Sequence, residues 1–427
     1  MHIVTLLSIL GSNSIAVPLS SGFPASELRY ILDNSQALML LSSAKFQEKG
    51  AEVVKERLEK SPILSTVKKR LEGSGSKENI KLEGDEESRG GMMLYTSGTT
   101  SRPVSRDQAL NQTSTEKKSV KKGVVLPESV MTAQSQSLLK AWNYNPTDHL
   151  LHVLPLHHIH GTINALMTPL FAGSTIEFMF PFNADALWGR LAAPFLPKDQ
   201  QQDNSKEPIT FLTAVPTIYN RLLSTHAKLP SSVSEASKEA ILPKHLRLNI
   251  SGSAALPTPT KTAWADLSGG NILLERYGMT EIGMGLSCGL DFRDRVDGSV
   301  GWPLPFLEAR LVDTETNAII EPGGELDKDG RVREGEIQIR GPTVFKEYWR
   351  NPKATSEEFV EGEDGKGRWF KTGDVATRKH IDGAGQSDQE WARGPMYFIR
   401  GRKSVDIIKS GGEKVSALEI ERELLSL

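Results

Sequence analysis

Residues 94–103 carry a dense group of side chains suited to phosphate chemistry. An apolar stretch at 92–95 runs directly into Thr96, Ser97, Gly98, Thr99 and Thr100. Glycine allows the backbone to approach a ligand closely, and the hydroxyl and amide donors around it can surround an anion. The stretch does not fit the G-x-x-x-x-G-K-[ST] pattern of a Walker loop. The spacing therefore predicts a strand followed by an anion-binding loop, with an ordinary Ser/Thr turn as the alternative.

Three further polar segments follow apolar stretches that have the length of strands. They are residues 155–161, 251–257 and 277–281. The alternation of strand-like and helical patterns predicts an α/β fold, in which ligands bind outside the carboxyl ends of the strands. We therefore expect these segments and the phosphate loop to meet around one ligand.

Composition limits the partners and the compartment. The 427 residues include 51 Lys and Arg against 53 Asp and Glu, so no overall field favours nucleic acid or an anionic membrane. The single cysteine, Cys288, excludes an internal disulfide and favours an intracellular location, cytoplasmic or mitochondrial. The apolar start at 1–10 lacks a preceding basic segment, so we expect a buried helix followed by a strand at 14–19 rather than a signal sequence. No other apolar run has the length of a bilayer span, which predicts no stable membrane insertion.

The order of elements predicts how the chain is divided. Residues 15–19, 25–32 and 37–41 predict a β-α-β opening of the kind that builds parallel sheets. The polar residues 104–121 look like an insertion, after which a helix is predicted at 128–142. From about residue 298 to 401, short alternating strands with Gly and Pro turns predict a smaller β subdomain.

A series of motifs makes the chain resemble the adenylate-forming superfamily of acyl-CoA synthetases, luciferases and peptide-synthetase adenylation domains. The motifs occur in family order at residues 95–103, 155–161, 251–257, 277–281, 369–374 and 401–421. The resemblance implies that a carboxylate attacks the α-phosphorus of ATP, that pyrophosphate leaves, and that the thiol of coenzyme A then attacks the acyl-adenylate. It also implies a large domain of stacked β/α subdomains with the small β subdomain at 1–401, and a hinge and the beginning of a small α+β domain at 402–427.

The same resemblance implies roles around ATP. Thr280 would donate to the α-phosphate, and Glu281 together with Thr99 would hold Mg²⁺. Lys122 matches a family lysine if residues 104–121 loop out, although Lys121 fits the spacing equally well. The residues implied to bind the nucleotide are Thr96, Ser97, Gly98, Thr99, Thr100, Ser253, Tyr277, Gly278, Asp374 and Arg402.

Four histidines lie close together in the sequence, at His152, His157, His158 and His160. They permit a zinc site, but no cysteine or carboxylate nearby completes a set of ligands. The resemblance instead places His158 at the family's histidine position, where it would border the acyl site. His160 stands where many relatives carry an aromatic residue.

Arg276 is the residue that most narrows the choice of substrate. By the resemblance it would bring a fixed cation to the acyl side of the nucleotide, where a second carboxylate on the substrate would pair with it. Residues 251–256, 275–284 and 402–409 resemble those of malonyl-CoA synthetases, which implies conversion of malonate, ATP and CoA to malonyl-CoA, AMP and pyrophosphate, with methylmalonate as a further candidate. The residues implied to bind the acid are Arg276, His160, Ser251 and Met284. Pairing of Arg276 with an internal acid such as Glu275 is the alternative.

The sequence also departs from the family pattern. Relatives extend beyond both ends of the chain, and the family lysine that bridges the substrate and the nucleotide belongs to the part after residue 427, so we expect weak adenylation by residues 1–427 alone. Ser101 and Glu413 stand where relatives usually carry glycine and an aromatic residue. Two other functions remain open: a ligase for another short or medium acid, and a nucleotide-binding fragment with impaired catalysis. Either a monomer or a homodimer is compatible with the sequence.

Overall fold

The structure is a computed structural model that describes residues 2–55, 58–68, 90–96, 121–200, 206–403, 406–410, 413–417, 420 and 424. Its strands are β1 (Ile15–Ala16), β2 (Met39–Ser43), β3 (Ile63–Val67), β4 (Gly91–Thr96), β5 (Lys122–Pro127), β6 (His149–His152), β7 (Thr175–Phe178), β8 (Phe211–Ala214), β9 (Leu248–Ser251), β10 (Leu274–Met279), β11 (Gly283–Ser287), β12 (Trp302–Pro303), β13 (Glu308–Asp313), β14 (Ile319–Ile320), β15 (Gly335–Arg340), β16 (Glu347–Tyr348), β17 (Phe359–Glu361), β18 (Arg368–Lys379), β19 (Met396–Arg402), β20 (Ile407–Ser410) and β21 (Glu413–Ser416).

Its α-helices are α1 (His2–Gly11), α2 (Ala25–Ser35), α3 (Gln47–Lys55), α4 (Glu128–Trp142), α5 (Thr168–Ala172), α6 (Ala184–Ala192), α7 (Pro216–His226), α8 (Ser231–Ala240), α9 (Thr258–Leu267) and α10 (Pro352–Glu357). A π-helix spans His160–Met167, and short 3₁₀ turns occur at Ala44–Phe46, Ala193–Phe195, Lys198–Gln200 and Phe292–Asp294. None of the described helices is both long enough and apolar enough to cross a membrane.

The chain divides into two compact units. The first comprises Met1–Met131 with Phe345–Glu357, and the second comprises Thr132–Val344 with Glu358–Leu427. The predicted domain limits at 298, 401 and 402 remain predictions, and the predicted insertion at 104–121 lies outside the described residues except for Lys121.

The first unit contains a four-stranded sheet and a separate pair of parallel strands. The sheet has the order β1-β4-β5-β16, with β4 antiparallel to β5. Strands β2 and β3 pair in parallel, and Leu28, Leu32 and Val53 from the adjacent helices form a buried cluster. The predicted β-α-β opening is wrong in its pairing, because β1 pairs with β4 and β2 pairs with β3. Neighbours in sequence are often, but not always, neighbours in a sheet, and the two-residue β1 takes its partner from far along the chain.

Helix α1 agrees with the predicted helix at 1–10, but it is not fully buried. Leu6 is 4% exposed, whereas Val4 is 67% exposed. The expectation of a buried helix is therefore only partly correct, because one side of α1 packs against neighbouring residues and the other is exposed.

The second unit is built around a seven-stranded sheet with the order β12-β11-β10-β9-β8-β6-β7. The strands β7, β6, β8, β9 and β10 are parallel, and β11 and β12 continue the sheet antiparallel. Large aromatic side chains fill the core around it; those of Trp142, Trp188, Tyr219 and Trp264 are fully buried. This is the mixed α/β architecture that the strand and helix pattern predicts.

A second sheet follows in the chain, with the order β14-β13-β15-β18-β17 and with β19 paired to β18. The short alternating strands predicted between about residues 298 and 401 include β13, β15 and β19. Cys288 lies fully buried just before this region, where its Sγ donates to the carbonyl oxygen of Ser299 at 3.4 Å. Burial raises the pKa of the Cys288 thiol to about 12.

Candidate active site

The parallel strands of the second unit end at one edge of the sheet. Residues after β6, β8, β9 and β10 therefore follow neighbouring carboxyl ends, where α/β sheets bind ligands. The predicted segments 155–161 and 251–257 follow β6 and begin at the end of β9. The segment 277–281 differs from the expected loop, because residues 277–279 continue β10 and pair with β11 as a hairpin. The apolar run is shorter than the strand because it ends at Leu274, before the charged Glu275 and Arg276, whereas β10 continues to Met279 through backbone pairing.

Three side chains from different strand ends meet at Ser253. The Oγ of Ser253 lies 3.2 Å from His160 Nδ1 and accepts from Arg276 Nη2 at 3.1 Å. On the other side of the imidazole ring, His160 Nε2 lies 2.6 Å from Thr213 Oγ1. Burial, followed by the positive charge of Arg276, lowers the pKa of His160 well below its usual value, so the ring is neutral at physiological pH.

Arg276 is a buried cation whose charge is unpaired within the part of the chain that the structure describes. Arg276 is 4% exposed, and no described carboxylate oxygen lies within 4.0 Å of its guanidinium. Its Nε has no hydrogen-bond partner there, and burial lowers the pKa of Arg276 to about 9. A Cβ on Gly252 would lie 2.5 Å from this Nε, so the guanidinium occupies the space that the glycine leaves.

Glu275 does not provide the internal partner that the sequence offered for Arg276. Its Oε1 accepts from Lys261 Nζ at 2.6 Å, and both of these side chains are buried. Side chains alternate between the faces of a strand, so Glu275 and Arg276 point to opposite sides of β10. The buried carboxylate and the buried guanidinium therefore belong to different environments.

Ser251 and Met284 lie deeper in the sheet. They are 1% and 2% exposed, and Ser251 Oγ has no partner among the described residues. His158 is instead exposed, and its ring lies 4.3 Å from that of His157. His152 turns its Nε2 to the carbonyl oxygen of Gly161 at 2.9 Å. The substrate-binding and catalytic roles of these residues remain predictions.

Tyr277, Asp374 and Arg402 form a second cluster. Tyr277 Oη donates to Asp374 Oδ2 at 2.6 Å, and Arg402 Nε lies 3.2 Å from Asp374 Oδ1. Asp374 and Arg402 are directly paired between β18 and β19, which fixes their approach. Burial raises the pKa of Asp374, and the charge of Arg402 opposes that rise. A carboxylate has about four acceptor positions, so Asp374 retains capacity for further hydroxyl groups.

Thr280 and Glu281 form the turn between β10 and β11. Thr280 is half-buried and Glu281 is buried. The strands approach so closely that a Cβ on Gly278 would lie 2.1 Å from the carbonyl oxygen of Gly283. Glycine at 278 is thus required for the geometry that holds the turn.

The predicted phosphate strand lies in the first unit. Thr96 ends β4 and is directly opposite Lys122 on β5, so their side chains share one face of the sheet. Lys122 Nζ lies 4.4 Å from the centre of the Tyr348 ring. Lys121 forms an ion pair with Glu27. The predicted phosphate ligands Ser97, Gly98, Thr99 and Thr100 lie outside the described residues.

Comparison with known proteins identifies the family. The sequence profile of the AMP-binding enzymes matches residues 1–104 and 119–349. The chain belongs to the AMP-binding enzyme family. The residues left out of the match, 105–118, fall within the predicted insertion at 104–121.

Relatives of this AMP-binding enzyme include a CoA ligase of Gibberella moniliformis, which is 55% identical over 445 residues and is aligned over 100% of this chain and 70% of its own length. A mitochondrial malonate–CoA ligase of Xenopus laevis is 38% identical over 443 residues, covering 99% of this chain and 67% of the relative. The crystal structure of ATP-bound MatB from Rhodopseudomonas palustris matches with a TM-score of 0.72 and 28% identity, over 100% of this chain and 71% of that one.

Several curated relatives of this AMP-binding enzyme are considerably longer; the chain spans 60 to 70% of the length of the CoA ligases that it matches. Their family and their descriptions identify the sequence as that of an acid–thiol ligase of the adenylate-forming superfamily.

Several residues around the site of this AMP-binding enzyme are not found by motif reasoning. Thr213 and Asn164 contact one another beside His160, and Lys261 pairs with Glu275. Thr213 carried one usable signal, since it is a polar residue inside the apolar strand β8. Asn164 and Lys261 carried none, because their partners come from distant parts of the chain.

Proposed function

We propose that the protein is an ATP-dependent malonate–CoA ligase. In the first step a malonate carboxylate attacks the α-phosphorus of ATP, forming malonyl-adenylate and releasing pyrophosphate. In the second, the CoA thiol attacks the acyl carbon, forming malonyl-CoA and releasing AMP. Both steps bring negatively charged or electron-rich groups together, so alignment and charge neutralisation are what the protein has to supply.

The observation that carries this proposal is the buried guanidinium of Arg276. Holding a cation away from water without a counter-ion is costly, and a dicarboxylate would supply the missing charge. The first carboxylate of malonate reacts, and the second pairs with Arg276. A monocarboxylic acid has no group for this position.

The nucleotide would lie beside the second cluster. Asp374 would accept the ribose hydroxyls, and Tyr277 would stack on the adenine while its hydroxyl stays on Asp374. Thr280 would donate to the α-phosphate, and Glu281 would hold Mg²⁺, which takes carboxylate and hydroxyl oxygen ligands. When bound, Mg²⁺ supplies charge neutralisation at the phosphate oxygens.

Lys122 is a better phosphate ligand than Lys121 in this proposal. It stands opposite Thr96, the last described residue before the predicted phosphate loop. Lys121 is held by Glu27, which already neutralises its charge.

The descriptions of relatives support malonate as the acid, and they also leave a second candidate function. The Xenopus laevis relative is a malonate–CoA ligase of mitochondria, which also supports a mitochondrial location, but the Gibberella moniliformis relative is described only as a CoA ligase. A ligase for another short or medium acid is therefore the alternative. Release of pyrophosphate with malonate, methylmalonate, acetate and longer monocarboxylates, measured in parallel, would separate the two.

The substitution Arg276→Ala tests the proposal. Ligands that bind only the folded protein raise its melting temperature, so affinities for malonate and for ATP with Mg²⁺ can each be measured from thermal shifts. Loss of a charged hydrogen-bonding partner costs about 2 kcal/mol, or roughly thirtyfold in affinity. We expect that loss for malonate and little change for ATP.

The exposed Arg293 provides the matched control, because Arg293→Ala also removes one arginine but leaves the sheet edge intact. Equal losses for malonate and ATP in Arg276→Ala would contradict the assignment of the second carboxylate. A thermal shift with ATP combined with no pyrophosphate release for any acid would instead favour a nucleotide-binding fragment with impaired catalysis.

A further inference from the structure

A continuous series of hydrogen bonds runs from the core of the second unit to the exposed Ser253. Tyr144 Oη lies 2.7 Å from Asn164 Oδ1, and Asn164 Nδ2 lies 3.1 Å from Thr213 Oγ1. Thr213 Oγ1 continues to His160 Nε2 at 2.6 Å, and His160 Nδ1 continues to Ser253 Oγ at 3.2 Å. The series joins the π-helix, β8 and the residues after β9. Because each of its middle members contacts a neighbour on either side, the position of each hydrogen atom can be worked out in turn.

The direction of the series follows from the orientation of the Asn164 amide group. Burial raises the pKa of Tyr144 well above its ordinary value, so its hydroxyl keeps its proton, and it lies within donating distance of two oxygens of Asn164, the backbone carbonyl at 3.0 Å and Oδ1 at 2.7 Å. The amide oxygen of Asn164 faces Tyr144, and the amide nitrogen faces Thr213. Thr213 Oγ1 accepts this hydrogen bond.

Thr213 then determines which nitrogen of His160 carries the hydrogen. Its own hydroxyl hydrogen has one described acceptor, His160 Nε2. The imidazole is neutral, so an accepting Nε2 requires the hydrogen to be on Nδ1. His160 Nδ1 therefore donates to Ser253 Oγ.

Ser253 receives two hydrogen bonds and keeps one to give. Its oxygen accepts from His160 Nδ1 and from Arg276 Nη2, which fills both lone pairs. Its hydroxyl hydrogen is left to point away from both donors, on an exposed residue beside the guanidinium. The backbone of Ser253 has a φ of 68°, a strained conformation for a residue with a Cβ, and the two donors hold its side chain in that position.

We propose that Thr213, oriented by Asn164, is a positioning residue that fixes the tautomer of His160 and thereby directs the Ser253 hydroxyl hydrogen towards the second carboxylate of the diacid. This rests on the proposed function for the identity of the ligand. Arg276 and Ser253 would then donate to the same carboxylate, whereas the motif comparison assigned Ser253 to the nucleotide. A site that donates two hydrogen bonds to a carboxylate rejects an acid that lacks this group, because its donors would be left unpaired.

The tautomer can be measured without any ligand. In protein labelled with ¹⁵N-histidine, the nitrogen chemical shifts distinguish Nδ1–H from Nε2–H, and the His160 signal is assigned by its loss in His160→Asn. We expect Nδ1–H in the wild-type protein and in Thr213→Ser, which keeps the hydroxyl. We expect that preference to be lost in Thr213→Val, which has the same shape without the donor. Nε2–H in the wild-type protein, or no change in Thr213→Val, would overturn the inference.

Binding tests the consequence for the substrate. With ATP and Mg²⁺ present, Thr213→Val should weaken malonate binding on the order of tenfold, leave propionate and ATP unchanged, and be rescued by Thr213→Ser. Thr168→Val is the control, because Thr168 is equally buried but donates to the carbonyl oxygen of Ile163. An unchanged preference for malonate over propionate would overturn the role of Thr213. If the wild-type protein binds no malonate while the tautomer is as expected, the proposed function fails and the hydrogen-bond order stands.

Discussion

Glu275 and Arg276 are adjacent residues of opposite charge in β10, and each interacts with a residue on another element rather than with the other. Their types and order are visible in the sequence and point to a charged site. Their partners are not visible, because Lys261 and Ser253 reach them from other elements. Period-two alternation does argue against a pair between adjacent strand residues, and the structure agrees.

His160 gives a prediction about pH. Its pKa in the folded protein lies well below the ordinary value of 6.5, chiefly because it is buried. Below pH 6.5 the unfolded chain therefore binds a proton that the folded chain does not, and stability falls as the pH is lowered towards the folded-state pKa. The loss for this one group is at most ~1.4 kcal/mol per pH unit.

Urea denaturation at a series of pH values between 7 and 5 would measure this slope. His160→Gln should make it shallower without removing it, since burial also lowers the pKa of His152. His380→Gln controls for the loss of an exposed histidine. An identical slope in His160→Gln and in the wild-type protein would show that His160 does not contribute.

At the scale of the element, helix periodicity was the most reliable signal. The predicted helix at 128–142 matches α4 at both ends, because its apolar face repeats over four turns. Residues 160–172 form a π-helix followed by α5. Apolar periodicity does not distinguish an α-turn from the wider π-turn, which is common at functional sites and here carries both His160 and Asn164.

The β10–β11 hairpin provides a prediction at this scale. Gly278→Ala should destabilise the protein by about 1–3 kcal/mol, because the new methyl group would meet the backbone of Gly283 at 2.1 Å and force the strands apart. The free energy of unfolding in urea is the measurement.

Gly189→Ala is the matched control for that substitution. Gly189 lies inside α6, and a Cβ there would have no atom within 4 Å. Alanine is a better helix former than glycine by about 1 kcal/mol, so this variant should be more stable than the wild type. Equal changes in the free energy of unfolding for the two substitutions would mean that β10 and β11 can move apart at Gly278 without loss of stability.

At the scale of the whole molecule, the sequence correctly placed residues 155–161 and 251–257 at the carboxyl ends of strands in a parallel sheet. Alternating strands and helices impose that arrangement, so the approach of residues 155–161 to residues 251–257 could be predicted. The pairing of β1 with β4 could not, since it depends on which distant surfaces fit. Thr213 is visible in the sequence only as a polar residue in an apolar strand, and the role that we propose for it depends on hydrogen-bond direction rather than on a motif.

The lone thiol offers a direct way to observe motion. Cys288 has no accessible surface and no second cysteine to react with, so an alkylating reagent can modify the chain only while its surroundings are open. The rate of alkylation therefore measures how often the second unit opens around Cys288, in native buffer and without an added label. A saturating concentration of nucleotide should lower the rate of Cys288 alkylation if the nucleotide binds the closed state of the second unit and not the open one.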